Sequence, residues 1–430
     1  MKVKLRLSLN ERTILSLLTV LMISLNLGAQ ELLAGSAKRL LTPDPLLPVS
    51  GGVGAPKPAD TRQGDLFARV LVLVKGGEKV AIVSVDNLGW PAALGDKSRK
   101  LIKDIPAKNI LIGATHTHSA PDAYAFPDAE GKNAADLEYL EWCAGQIAQA
   151  VNEAQSKLQP AHLKIAIGEA KGKIAYNYYA PELYDPRCGV IQAIGTAGEA
   201  KGKVIATLVN YAIHPEVIGN KRGILSPDLV GPLNERIENR TGGMALFMNG
   251  AQGGMVTADN RLENGKEAND WRECQRIGYL LADEALRIVA DAPIQKNAGL
   301  YCTHKEVEFP IESEMMRFIL QHSPLGMGSE DGKSVVATVN LVNLGTAQIL
   351  TIPGEALPNI GYYLKRNMPT PHPFLFGLTN DAFGYILTKE DFDSFDRYKY
   401  VSRTSLGEMT GEIFIKEALD LIEKSPKPQK

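Results

Sequence analysis

Cysteine is scarce in this chain. The four present, Cys143, Cys188, Cys274 and Cys302, stand too far apart to form a CxxC metal or redox motif. An excess of charge of one sign is also lacking: 47 Lys and Arg against 49 Asp and Glu leave a formal net charge of −2. That balance gives no electrostatic case for binding nucleic acid or an anionic membrane surface, and points to a small-molecule partner. No repeat period and no low-complexity linker divides the 430 residues. An apolar share of 44% suits a globular protein with a large core, and one large domain is the economical reading. Histidine is rare as well, with seven in the whole chain, so any grouping of histidines carries information.

The N-terminal apolar stretch, about 14–27, falls short of the roughly 20 residues that span a membrane. It follows Lys2, Lys4, Arg6 and Arg12 and precedes Gly28-Ala29-Gln30. A basic start, a short apolar core and a small residue at the exit make an export signal over residues 1–29, cleaved near Ala29. The mature protein is then secreted or periplasmic and has no transmembrane helix. Export permits disulfides, although buried free thiols fit a core of this size equally well.

Residues 30–63 are rich in proline and glycine and read as an extended N-terminal segment without a packed element. The catalytic domain is expected over 64–425. Strands are expected at 66–74 and 79–85, joined by Lys75-Gly76-Gly77-Glu78, and an amphipathic helix at 136–154. Further strands at 162–169, 188–195, 203–213, 243–248, 299–309, 335–343 and 346–351 alternate with helices, including a long one near 269–291. Tight turns joining some strands predict an α/β fold: a layered mixed β-sheet flanked by helices, not purely parallel.

Several apolar strands end in reactive side chains: Asp86, His116 with His118, His214, Asn249 and Glu355. The carboxyl ends of strands are where open α/β sheets bind ligands. His116 and His118, two residues apart after Ile110-Leu111-Ile112, project from the same face, as half of a zinc-type chelate would. His214 closes another strand, in Tyr211-Ala212-Ile213-His214-Pro215-Glu216. Pro353-Gly354 before Glu355 allows a close backbone approach; a helix N-terminal acid is the plainer alternative there.

The ordered set Gly113-Ala114-Thr115-His116-Thr117-His118-Ser119-Ala120-Pro121, Asn210-Tyr211-Ala212-Ile213-His214, Pro353-Gly354-Glu355 and Gly377-Leu378-Thr379-Asn380 with Gly384-Tyr385 resembles the catalytic domain of the neutral/alkaline, non-lysosomal ceramidases. The likeness runs from about residue 65 to 412. It implies a zinc ion, Zn2+, held by His116, His214, Glu355 and Tyr385, the last an uncommon phenolate ligand whose pKa a nearby cation would lower. It implies that His118 is the active-site imidazole and Tyr398 a donor to the developing oxyanion. Thr257 falls where the family has a serine. The activity implied is hydrolysis of a lipid-like N-acyl amide, the chemistry of sphingolipid metabolism.

The chain departs from that family in two places. The family's asparagine-arginine pair is matched by Asn177-Tyr178, and Arg187 is the residue that would have to reach the same space. The chain also ends at Lys430 without room for the immunoglobulin-like domain these enzymes usually carry. Both differences touch substrate binding and leave the metal set intact. A zinc hydrolase of the same fold acting on another amide or an ester therefore stands beside the ceramidase reading, and a non-catalytic binding protein stands behind both. An amidohydrolase barrel is set aside, because the His-x-His motif follows several strands and eight strand–helix repeats are not evident.

Overall fold

The computed structural model describes residues 31–127 and 132–429; the expected export signal, 1–29, lies outside them. Its largest sheet contains β1 (Leu33–Leu40), β2 (Phe67–Lys75), β3 (Glu78–Val85), β4 (Ile110–Ala114), β5 (Gln159–Glu169), β6 (Arg187–Gly195), β7 (Val204–Tyr211) and β8 (Met244–Asn249). Their order across the sheet is β8-β7-β6-β5-β1-β2-β3-β4, with Ile294–Gln295 added on β5. Two pairs, β3–β4 and β7–β8, run parallel; the other pairings along this path are antiparallel. A second sheet has the order β9 (Leu300–Pro310), β10 (Ser334–Leu344), β11 (Ala347–Thr351), β12 (His372–Phe376), and only β11–β12 is parallel.

The two sheets pack face to face between helices. In β2 the side chains alternate: Val70 and Val72 face one core, with Leu140, Ile147 and Val151 of the helix α2 (Leu137–Ser156), while Leu71 and Leu73 face the other sheet's Ile349, Phe374 and Phe376. That two-sided burial explains why the run has almost no polar residue. Helix α1 (Ala92–Leu101) lies beside α2; α3 (Val230–Thr241) and α4 (Trp271–Ala290) cover the β6–β8 end. Helices α5 (Glu314–His322), α6 (Pro358–Asn367) and α7 (Thr410–Lys424) cover the outer face of the second sheet. The layers are thus helix, sheet, sheet, helix, in one domain. The expected mixed α/β sheet is correct, with one sheet more than the sequence suggested.

The expected N-terminal segment needs correction. Residues 33–40 are a strand inside the large sheet, paired with β2 from Leu33↔Val74 to Leu40↔Phe67. The domain therefore begins before residue 64. The small residues Ala34, Gly35, Ser36 and Ala37 carry no strand pattern: Gly35 and Ala37 face α2, where a Cβ on Gly35 would sit 2.1 Å from the Ala154 carbonyl oxygen, while Ala34 faces the inter-sheet core and Ser36 Oγ donates to the Ile205 carbonyl at 3.0 Å. In the rest of the segment Val49–Ser50 and Thr61–Arg62 form short pairings, and Lys57 bridges Val49. All four cysteines are free thiols.

One feature of the large sheet positions the site. Strands β4 and β8 are its two edges by hydrogen-bond order, yet the sheet curls until they touch. Side chains cross the closure: Ser84 Oγ on β3 donates to the Phe247 carbonyl on β8 at 2.6 Å, and Arg69 Nη1 on β2 donates to the Ala245 carbonyl at 3.0 Å.

Candidate metal centre

The loops after β4 and β7 meet at this closure. His116 N–H donates to the Asn87 carbonyl at 2.9 Å, and His214 N–H to the Val256 carbonyl at 2.8 Å. The Asn249 amide, at the end of β8, donates to both loops, to Thr115 O at 3.2 Å and to Ile213 O at 2.7 Å. His116 has φ of 74°, a left-handed conformation uncommon for a residue with a Cβ and typical of functional positions. Glu355 arrives from the second sheet. It pairs with Tyr385 in a short parallel ladder, Glu355–Ala356 beside Tyr385–Ile386. A Cβ on Gly354 would lie 2.4 Å from the Gly384 carbonyl oxygen, so the Pro-Gly sequence does permit the close approach expected of it.

The donor atoms converge. Nε2 of His214 lies 3.1 Å from Glu355 Oε2, and Nε2 of His116 lies 3.4 Å from the same oxygen. Ring nitrogens of His116, His118 and His214 all lie within 4.8 Å of one another, so the three could hold a metal ion. Each of the two inner rings has its other nitrogen on a carbonyl: His116 Nδ1 on Leu88 O at 2.5 Å, His214 Nδ1 on Val256 O at 2.8 Å. A carbonyl only accepts, so Nδ1 carries the proton in both rings and Nε2 of the neutral ring presents a lone pair. Two lone pairs and a carboxylate oxygen then face one another in a buried space. Such a set repels itself unless a proton or a cation lies between. Burial opposes charge on both partners, but the contact wins: Glu355 is pulled well below the usual carboxylate range by His116 and His214, and His214 is raised by Glu355. The donor set fits a divalent cation of the nitrogen- and oxygen-binding kind.

His118 stands beside this set. Its backbone N–H donates to Pro215 O at 3.1 Å, and its Nδ1 faces Glu216 Oε2 at 3.6 Å. Its Nε2 is buried with no hydrogen-bond partner among the described residues. Burial pushes its pKa down to about 3, against the pull of Glu216, so the ring is neutral. Burial raises the Glu216 pKa, but His118, His214 and the Thr257 hydroxyl outweigh it and hold the carboxyl ionised. Thr257 itself forms a bridge beside His214.

A pocket of about 290 Å³ opens onto the centre. His116, His118, Glu355 and Tyr385 line its floor, and Phe126, Met316, Ile319, Leu320, Val335, Val336 and Phe383 its walls. Among the described residues that line it there is no lysine or arginine. Tyr385 is buried beside Glu355, and burial first, then that carboxylate, raises its pKa well above the ordinary value. The protein alone therefore does not favour a phenolate there. Tyr398 is buried with Leu357, Tyr385, Leu387 and Val401 rather than in the pocket wall. Tyr400, which the sequence reading passed over, lines the pocket, half exposed, with its ring 6.0 Å from that of Tyr385. Glu216 was passed over too, although an acid two residues beyond a candidate ligand was a visible signal. Arg187 does not reach the pocket: it forms a two-pronged pair with Asp185 at 2.7 and 2.8 Å and lines a separate small cavity with Lys365.

No protein-family model and no curated protein sequence matches the chain. Among solved structures it is similar to the neutral ceramidase from Pseudomonas aeruginosa, with a TM-score of 0.73 at 17% identity, covering 93% of this chain and 76% of that one. It is likewise similar to a ceramidase complexed with C2, with a TM-score of 0.72 at 16% identity, covering 93% and 77%. At such identities the likeness is one of architecture, and the layered sheets and helices described above are the neutral ceramidase fold.

Proposed function

We propose that this chain is an exported, zinc-dependent hydrolase that cleaves the amide bond of a lipid-like N-acyl substrate, in the manner of a ceramidase. The observation that carries the reading is the pair of Nε2 atoms, each fixed by a carbonyl behind it, converging on one Glu355 oxygen at the floor of an apolar pocket. His116, His214 and Glu355 would hold the ion, with the Tyr385 oxygen as the fourth candidate. When bound, zinc supplies a Lewis acid that polarises a carbonyl and lowers the pKa of water to about 7. His118 accepts a proton from the attacking water through Nε2 and returns it to the leaving nitrogen, giving a carboxylic acid and an amine. A tyrosine hydroxyl, from Tyr398 or the pocket-lining Tyr400, donates to the developing oxyanion, and Thr257 supports the site from outside the pocket lining, through its hydrogen bond to Glu216. The apolar walls exclude water and take up the acyl chain.

A second reading, hydrolysis of a different amide or an ester, is favoured by one observation: no lysine or arginine lines the pocket among the described residues, and Arg187 is locked elsewhere. A screen of N-acyl sphingoid bases, simple N-acyl amines and acyl esters separates the two. Chelator-sensitive release of fatty acid from the sphingoid substrates, absent in His116→Ala, is the expected result. Full turnover after complete metal removal would end the proposal, and inert sphingoid substrates beside a cleaved small ester would establish the second reading.

A further inference from the structure

The acid Glu216 takes no step in the reaction proposed above, yet the loop holding it is stitched to the histidine motif at several points. Besides His118 N–H on Pro215 O, Thr117 Oγ donates to Ser226 O at 2.7 Å, Ser119 Oγ to Gly219 O at 3.0 Å, and Ser226 N–H to Ser119 O at 2.8 Å. These bonds fix the 215–226 loop against 117–119 and set Glu216 facing His118 Nδ1, outside the lining of the pocket.

We propose that Glu216 is a positioning residue: its carboxylate faces His118 Nδ1 and holds the proton on that nitrogen, so that the buried, unpartnered Nε2 keeps its lone pair. The inference rests on the hydrolase reading. Three observations support it. The Nδ1–carboxylate contact is 3.6 Å, longer than a formed hydrogen bond, as contacts to a catalytic base often are before substrate tightens them. The opposite nitrogen is buried and unpartnered among the described residues, on a ring that belongs to the pocket lining. Thr257 is directed at Glu216 from behind, completing a chain from Thr257 through Glu216 to His118. An acid behind an imidazole fixes tautomer and ring orientation without itself taking the proton. In this arrangement Thr257 orients the acid and does not touch substrate.

The test reads the tautomer directly, in metal-free protein labelled with 15N at histidine. The His118 signals are identified by their loss in His118→Gln. In the unmodified protein the proton is expected on Nδ1. In Glu216→Leu, which removes the acceptor, His118 shifts toward the Nε2–H form; in Glu216→Gln, which keeps an acceptor oxygen, it does not. In the metal-loaded enzyme, Glu216→Leu lowers kcat on the order of 10–100-fold with KM and metal stoichiometry unchanged, and Glu216→Gln restores part of the loss. A proton on Nε2 in the unmodified protein overturns the proposal, and that spectrum decides even if the Leu variant does not fold. An unshifted tautomer in a folded Glu216→Leu overturns it too. Because the spectra need no substrate, the inference and the hydrolase reading fail separately.

Discussion

Gly354 shows how narrow the tolerances are at the residue scale. Its missing side chain lets the Pro353–Glu355 turn lie against the Gly384 carbonyl, and the backbone N–H of Glu355 donates to that same carbonyl at 2.9 Å. A methyl group there must part the short ladder that sets Glu355 beside Tyr385. Gly354→Ala is expected to cost about 1–3 kcal/mol as overpacking, and to weaken metal binding further by moving the carboxylate away from His116 and His214. Thermal unfolding with metal titration checks this. Unchanged stoichiometric binding at native stability would mean that the site does not depend on the close approach. His116 carries a similar constraint in its backbone: the left-handed φ turns its ring inward from a strand end, where an ordinary extended residue would continue β4.

At the scale of elements, the pocket is built by pieces whose sequence signal is ordinary packing. Helix α5 buries Met316, Ile319 and Leu320, the i, i+3, i+4 spacing of any amphipathic helix, and the same face forms one wall of the pocket. On β10, Val335 and Ala337 point into the core, while Val336 between them is half exposed and also lines the pocket. Val336→Lys therefore places a charge on the apolar wall without touching the core. If this wall receives an acyl chain, KM for a long-chain substrate rises at least tenfold, since each lost CH₂ contact is worth about 0.8 kcal/mol. The kcat for a short-chain analogue, the metal content and the melting temperature stay as they were. Equal effects on both chain lengths would place the acyl group elsewhere.

The whole molecule accommodates a buried acid close to where the large sheet closes. Asp86 follows β3 and accepts from Phe67 N–H at 2.9 Å. Burial, only partly offset by Arg69, raises its pKa to about 6. The folded protein thus holds a proton that the unfolded chain releases near pH 4. The stability from this group is present below about pH 4 and is lost as pH rises through about 6. Asp86→Asn keeps an acceptor for Phe67 N–H and removes the titration. Its stability relative to the unmodified protein should therefore rise by roughly 3 kcal/mol between pH 4 and pH 8, at 1.36 kcal/mol per pKa unit. Urea midpoints at the two pH values measure the difference, and parallel profiles would assign the pH dependence to other groups.

What could be read from the chain alone was local. Apolar runs such as 79–85 and 335–343 announced strands, Asp136 announced the start of α2, where it accepts from Tyr139 N–H, and polar residues at strand ends announced His116, His118, His214, Asn249 and Glu355. These signals survive because each depends on side-chain chemistry within a few residues. Strand β1 did not announce itself, since its small residues are set by close packing on both faces, and neither did Glu216 or Tyr400, whose places depend on segments distant in sequence. Nor does spacing reveal that Arg187 is spent on Asp185. That β4 and β8, opposite edges by hydrogen-bond order, should meet was a matter for the curl of the sheet. The curl brings the loops of His116 and His214 together, and the second sheet packed against it supplies the Glu355 oxygen on which both rings converge.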